Sequence, residues 1–148
     1  MDDQLSAYEE DQLRQDKKDL VLGFISAVAQ CNRAQLSAVL SPNVVWTIPG
    51  QSLVSGPASG IDGILERCLM IRDYNARLDI QRILYGPYYD SISAELRNTG
   101  MRKTGYRNSG ILNFDEHVMM LFHVGNDRKI DSITNFISDL DNLNVYFQ

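Results

Sequence analysis

Apolar residues recur at helical spacing from about Gln4 to Cys31. Leu13, Leu20, Phe24 and Val28 share one stripe, with Val21 and Ile25 beside it. Asn32 restarts a helix, and Gln35 three residues later completes a capping-box pattern. That short helix stops at the turn signal Ser41-Pro42-Asn43, after which Asn43 to Ile48 reads as a strand. Pro49 to Gly60 is dense in Gly, Ser and Pro and reads as a loop. Ser59 with Asp62 can cap a third helix that buries Ile61, Ile64, Leu65, Cys68 and Leu69. After Tyr74 the period changes: Leu78, Ile80 and Leu84 alternate with Asp79, Gln81 and Ile83. Strands follow at Ser91 to Asn98, Tyr106 to Phe114, Glu116 to Val124 and Lys129 to Ser138. Thr99-Gly100, Lys103-Thr104-Gly105 and Gly125-Asn126-Asp127 separate them. The expected class is α+β, with three N-terminal helices packed on a curved, mostly antiparallel sheet, in one domain over residues 1–148.

One strand departs from simple alternation. Val118-Met119-Met120-Leu121-Phe122 is apolar on both faces, so both sides of the sheet there need cover. Helices supply one side; a second copy of the chain is the expected cover for the other, giving a homodimer through the sheet. Charge adds little. The net value is −5, but seven of the 19 acids (Asp2, Asp3, Glu9, Glu10, Asp11, Asp16, Asp19) precede residue 20. Outside that segment 12 acids face 11 bases, and no basic stripe exists for a phosphate backbone, so nucleic acid is not an expected partner. The longest quasi-apolar stretch, Leu20 to Ala29, falls far short of the roughly 20 residues that span a bilayer. The polar, acidic start does not read as a secretory signal. Cys31 and Cys68 read as reduced packing residues, and the expected location is cytoplasmic.

Several chemistries find no support. His117 and His123 lie six residues apart on one strand, ~20 Å at strand rise, so they cannot share a metal, and no metal site is expected. Gly-x-Ser-x-Gly does not occur. Ser55 to Gly60 lacks the Gly-Lys-Ser/Thr ending of a phosphate loop. No cofactor is expected.

Helix, short helix, the strand ending Trp46-Thr47-Ile48-Pro49-Gly50, a Gly-rich loop, a helix and then a β-meander follow in order. With Leu96-Arg97-Asn98-Thr99, Asp115-Glu116-His117, Lys129-Ile130, Ile137-Ser138-Asp139 and Asn144 to Phe147, that order resembles the NTF2-like superfamily. More narrowly it resembles the SnoaL-like branch of small polyketide cyclases and isomerases, over about residues 15 to 147. The resemblance is specific for fold and weak for any one reaction, because the fold hosts enzymes and binding modules alike. It implies a deep apolar pocket between the concave sheet face and the first helix, and an aromatic C-terminal hook; Ser55 to Gly60 reads as a mobile flap over the pocket mouth. The resemblance also argues against two chemistries. The proton-handling positions of steroid-isomerase-like members fall on Phe24, Ile48 and Met120. Those of limonene-epoxide-hydrolase-like members fall on Asn98, Leu96 and Asn135.

Given that resemblance, strand parity turns Leu96, Asn98, Glu116, Val118, Met120, Phe122, Ile133 and Asn135 toward the pocket. Glu116 is the candidate acid–base group; alternatively it is exposed or pairs with an arginine such as Arg107. His117 carries the proton only if a bulge swings it inward, and otherwise faces the dimer side. Asn98 and Asn135 either orient a substrate oxygen or form a buried pair holding strands together. Trp46 is a pocket wall or an anchor between strand and helix, and Trp46, Thr47 and Phe24 join the expected substrate contacts. Tyr85, Tyr88 and Tyr89 line the rim or cap the core edge. The expected function is cyclisation or isomerisation of a hydrophobic, polyketide- or terpenoid-like carbonyl compound. The alternative is a non-catalytic lipophile-binding or interaction module.

Overall fold

The computed structural model describes residues 6–86, 90–104 and 110–148. Helix α1 spans Ala7–Gln30, capped by Ser6, whose hydroxyl accepts the Glu9 N–H at 3.2 Å. Cys31 ends it in the left-handed region at φ 48° and packs half-buried against the core. Asn32 caps α2, Arg33–Val39, by accepting the Gln35 N–H at 3.0 Å. The reciprocal half of a capping box does not form, since Gln35 Oε1 is buried without a partner among the described residues.

Strand β1, Leu40–Ile48, starts three residues earlier than the turn signal implies. Leu40 pairs with Ile130 across a register shift, and Pro42 sits in that irregular stretch, where a missing N–H breaks no ladder bond. The Pro49–Gly60 stretch is not all loop: Gly56–Ser59 forms β2, antiparallel to β1. Helix α3, Gly60–Asp73, follows directly. Ser59 makes no side-chain cap bond, and Asp62 pairs with Arg33 of α2 instead, so the expected cap is absent. Ile64, Cys68 and Ile71 carry the buried stripe, with Ile61, Leu65 and Leu69 half-buried beside it.

The meander is longer-stranded than its turn signals suggest. β3 is Ala76–Tyr85, β4 Ser91–Thr104, β5 Gly110–Val124 and β6 Ile130–Ile137. Thr99-Gly100 lies inside β4, not at a turn. A Cβ on Gly100 would stand 2.9 Å from both Asn75 O and the Tyr146 ring carbon Cζ, so the glycine makes room for a ring, not a bend. A bulge at Gln81 reverses the phase of β3, turning Ile83 inward and leaving Leu84 40% exposed, the opposite of unbroken alternation.

The six strands run in the order β2-β1-β6-β5-β4-β3; β1 with β6 is the parallel pair. A short helix α4, Leu140–Tyr146, closes one end. Its Tyr146 stacks on Phe114 at 4.7 Å and leads to a buried Phe147, which is the form the aromatic hook takes. On the concave side Phe24 of α1 meets Trp46 edge-on at 5.3 Å and Phe122 at 5.8 Å. On the other side Leu121 and Phe136 are 44% and 56% exposed. Among the described residues no helix is long and apolar enough to cross a membrane. Tyr88, Tyr89 and Arg107 lie outside the described residues.

Candidate functional site

Strand parity places Leu96 and Asn98 of β4, Glu116, Val118, Met120 and Phe122 of β5, and Ile133 and Asn135 of β6 on the concave face, all buried. Asn98 stands opposite Glu116, and Asn135 opposite Met120. The two asparagines lie on strands separated by β5, so they do not form a pair joining adjacent strands. Asn135 Oδ1 accepts the Trp46 indole N–H at 2.8 Å, which ties β1 to β6. Asn98 Oδ1 is buried and has no partner among the described residues.

These two amides and Trp46 border a cavity of about 10 Å³, at the threshold of holding one water. The rest of its wall is Ile48, Val54, Ile71, Leu78, Ile137, Leu143 and Phe147. The deep pocket expected from the resemblance is therefore closed, because the aromatic rings of Phe24, Trp46 and Phe122 occupy the concave side. Phe24, Leu96, Val118, Met120, Phe122 and Ile133, expected as substrate contacts, are packed in the core and do not line the cavity. Thr47 is exposed on the opposite face, alternating with Trp46, and so does not reach the cavity. Outside lies a groove of about 520 Å³ between α1, α3, β3 and β4, lined by Ile25 and Val28 with Arg72 and Arg77 at its edge. Ile71 and Leu78 border both spaces and form the partition between them.

Glu116 is 2% exposed, and its neighbours are donors. Its carboxylate accepts from the Ser138 hydroxyl, the Asp139 N–H at 2.6 Å and Asn142 Nδ2 at 2.9 Å. All three stand at the start of α4, where Asp139 also caps by accepting the Asn142 N–H at 3.1 Å. Glu116 thus fastens α4 to β5, and it does not line the small cavity. His117 is exposed on the convex face opposite Arg97, with β4 and β5 in unbroken register there, so no bulge turns it inward. Next to it Arg97 grips Asp115 with two bonds of 2.7 and 2.6 Å, and this hydrogen-bonded guanidinium holds the Asp115 carboxyl below its ordinary range. His123 sits between Asp131 at 2.6 Å and Asp90 at 3.1 Å; the Asp131 bond, more than Asp90, raises its pKa. Among the described residues no group of three or more side chains is arranged to hold a metal ion.

The Pro49–Gly60 loop is pinned, and its Ser55–Gly60 part, expected as a flap, is held by β2 pairing and by Arg67 on Gly56 O. Leu53 N–H donates to Phe147 O at 2.9 Å, Gln51 N–H donates to Asn144 Oδ1 at 2.8 Å, and Val54 is buried. Sequence reasoning missed the partition residues Ile71 and Leu78 and the cavity walls Val54, Leu143 and Phe147. Ile71 was legible as the continuation of the Ile64–Cys68 stripe; the others depend on how the C-terminal segment folds back.

No family model matches the chain, and no curated protein matches it. Solved structures do. An NTF2-like protein from Burkholderia xenovorans is 18% identical over 90% of this chain and 97% of its own, with a TM-score of 0.72. A candidate polyketide cyclase from Xanthomonas campestris is 16% identical over 92% and 99%, with a TM-score of 0.70. RV0760c from Mycobacterium tuberculosis, solved in complex with estradiol-17β-hemisuccinate, is 14% identical over 86% and 96%, with a TM-score of 0.65. At these identities the likeness establishes the NTF2-like fold, α+β with a mixed six-stranded sheet.

Proposed function

We propose that the chain binds a small, mostly apolar molecule with one hydroxyl donor received by Asn98, entering from the α1/α3/β3 groove past Ile71 and Leu78. The observation that carries this reading is Asn98 Oδ1, without a partner among the described residues, at the edge of a mostly apolar cavity. A buried acceptor without a partner costs about 1–3 kcal/mol, and a ligand hydroxyl recovers it. The 520 Å³ groove lies within the roughly 300–1,000 Å³ usual for small-molecule sites. The steroid carried by one fold relative supports the ligand class.

Cyclisation or isomerisation of a hydrophobic carbonyl compound is the second reading. Its support is the place of Glu116, buried directly across from Asn98, together with the candidate cyclase among the fold relatives. Against it, Glu116 already commits its oxygens to α4. Binding is therefore the favoured function, with cyclase chemistry added only if Glu116 is freed. The outer sheet face we assign to a second copy of the chain, on the exposure of Leu121 and Phe136; sedimentation of Phe136→Glu against the native chain tests it.

Estradiol, titrated against the emission of the lone Trp46, tests the pocket. Saturable quenching is expected, weakened about tenfold in Asn98→Leu, while the same substitution raises stability by removing the orphaned acceptor. Equal affinity in Asn98→Leu overturns the reading. Product formation from a polyketide-like carbonyl substrate, lost in Glu116→Gln with affinity retained, would move the assignment to the cyclase.

A further inference from the structure

We propose a second binding site, separate from the Asn98 cavity, in which Arg67 receives a small monocarboxylate with a short hydrocarbon tail. Arg67 interrupts the apolar stripe of α3 between Ile64 and Ile71 and is only 7% exposed. Its guanidinium donates Nη1–H to Trp46 O and Nη2–H to Gly56 O, the latter at 2.7 Å, and lies over the Trp46 ring at 5.1 Å. Two of its five N–H donors are thereby used, both on neutral carbonyls. Among the described residues no carboxylate forms an ion pair with it, although buried charges are ordinarily paired. Burial pulls the guanidinium down to about 10, far enough above neutrality that the charge persists.

That cation borders an open hollow of about 410 Å³ between β2, α3 and the segment before β2. Leu53, Ala58 and Met70 give it apolar walls, and Ser59 stands at the start of α3 with its hydroxyl unused as a cap. A negative group there meets Arg67 and the positive end of a 14-residue helix. Glu66 is exposed at the rim and makes no ion pair with Arg67, so a doubly charged phosphate is disfavoured and a single carboxylate fits. The apolar walls select one with a short tail over acetate.

Hexanoate is the probe, with 1-hexanol as the neutral control at equal concentration and constant ionic strength. Hexanoate is expected to raise the melting temperature saturably by about 3 °C or more, hexanol by less than about 1 °C, and to shift the Arg67 Nε–Hε resonance. Gly63→Leu puts a side chain into the hollow one helical turn before Arg67, and its Cβ meets Ala58 at an ordinary 3.6–3.9 Å. It should fold and lose the hexanoate effect, whereas Asn98→Leu should keep it. Equal shifts with hexanol, a stationary Arg67 signal, or an undiminished effect in Gly63→Leu would each overturn the proposal.

Discussion

Glu116→Gln offers the sharpest separation between a carboxylate that holds the fold and one that transfers protons. The substitution keeps shape and one acceptor oxygen but replaces the other by an N–H₂ facing the Asn142 amide. Flipping Asn142 restores a bond there at the expense of its weak 3.4 Å contact with Asp115 O. What is lost is the charge at three donors, two of which, on Ser138 and Asp139, belong to exposed residues that water can re-solvate. Hydrogen bonds to a charged group contribute about 1.5–3 kcal/mol each when fully buried. Discounting for that exposure leaves about 1.5 kcal/mol for Glu116→Gln, and about 3 kcal/mol for Glu116→Ala, which strands all three donors. For a chain of this length the first is a fall of about 3–6 °C in melting temperature. Urea unfolding should show a lower midpoint at unchanged slope, with faster amide exchange at Asp139 and Asn142. A catalytic carboxylate held against its own stability predicts the opposite sign. Glu116→Gln as stable as the native chain, or more so, refutes the structural role.

Three further outcomes follow from other parts of the molecule. Because the Asp131 bond raises the His123 pKa, its stabilisation is full below the unfolded value of about 6.5 and lost as pH rises through the higher folded midpoint. The urea midpoint should therefore fall as pH climbs above about 6.5 and flatten in His123→Asn, while NMR titration places the folded midpoint above 6.5; a midpoint below it would contradict the two-aspartate arrangement. Gly50 has φ +102°, and a Cβ there would stand 2.7 Å from Asn144 Oδ1, so Gly50→Ala should cost at least about 1–2 kcal/mol and expose the Gln51 amide to exchange. Thr47→Ala and His117→Ala, on the convex face, should change stability by less than about 0.5 kcal/mol and leave estradiol affinity within twofold, measured by thermal melt and titration.

The sequence carried the concave face well because strand parity is a local property. Given the resemblance, strand parity turns Asn98, Glu116, Met120 and Asn135 to one side, and all are buried. It failed where the C-terminal segment intervenes. Gly100 reads as a turn because its real reason, the ring of Tyr146, lies 46 positions away, and the Pro49–Gly60 stretch reads as an unpinned loop because Phe147 and Asn144 hold it from the far end. The use of Glu116 was hidden for the same reason, although Asp139 three residues before Asn142 is a capping signal. Arg67 interrupts the apolar stripe of α3, but only tertiary structure shows that no carboxylate among the described residues pairs with it.

The parallel pairing of β1 with β6 has a consequence for biosynthesis. Trp46 meets Asn135 across 89 positions, so a nascent chain must carry the tryptophan strand past the ribosome exit long before its neighbour is made. Until then one margin of that strand is bare, although β2 and the helices cover the rest of it, and offers itself to any extended peptide nearby. Helices can assemble as they emerge; sheet closure has to wait for the last strand.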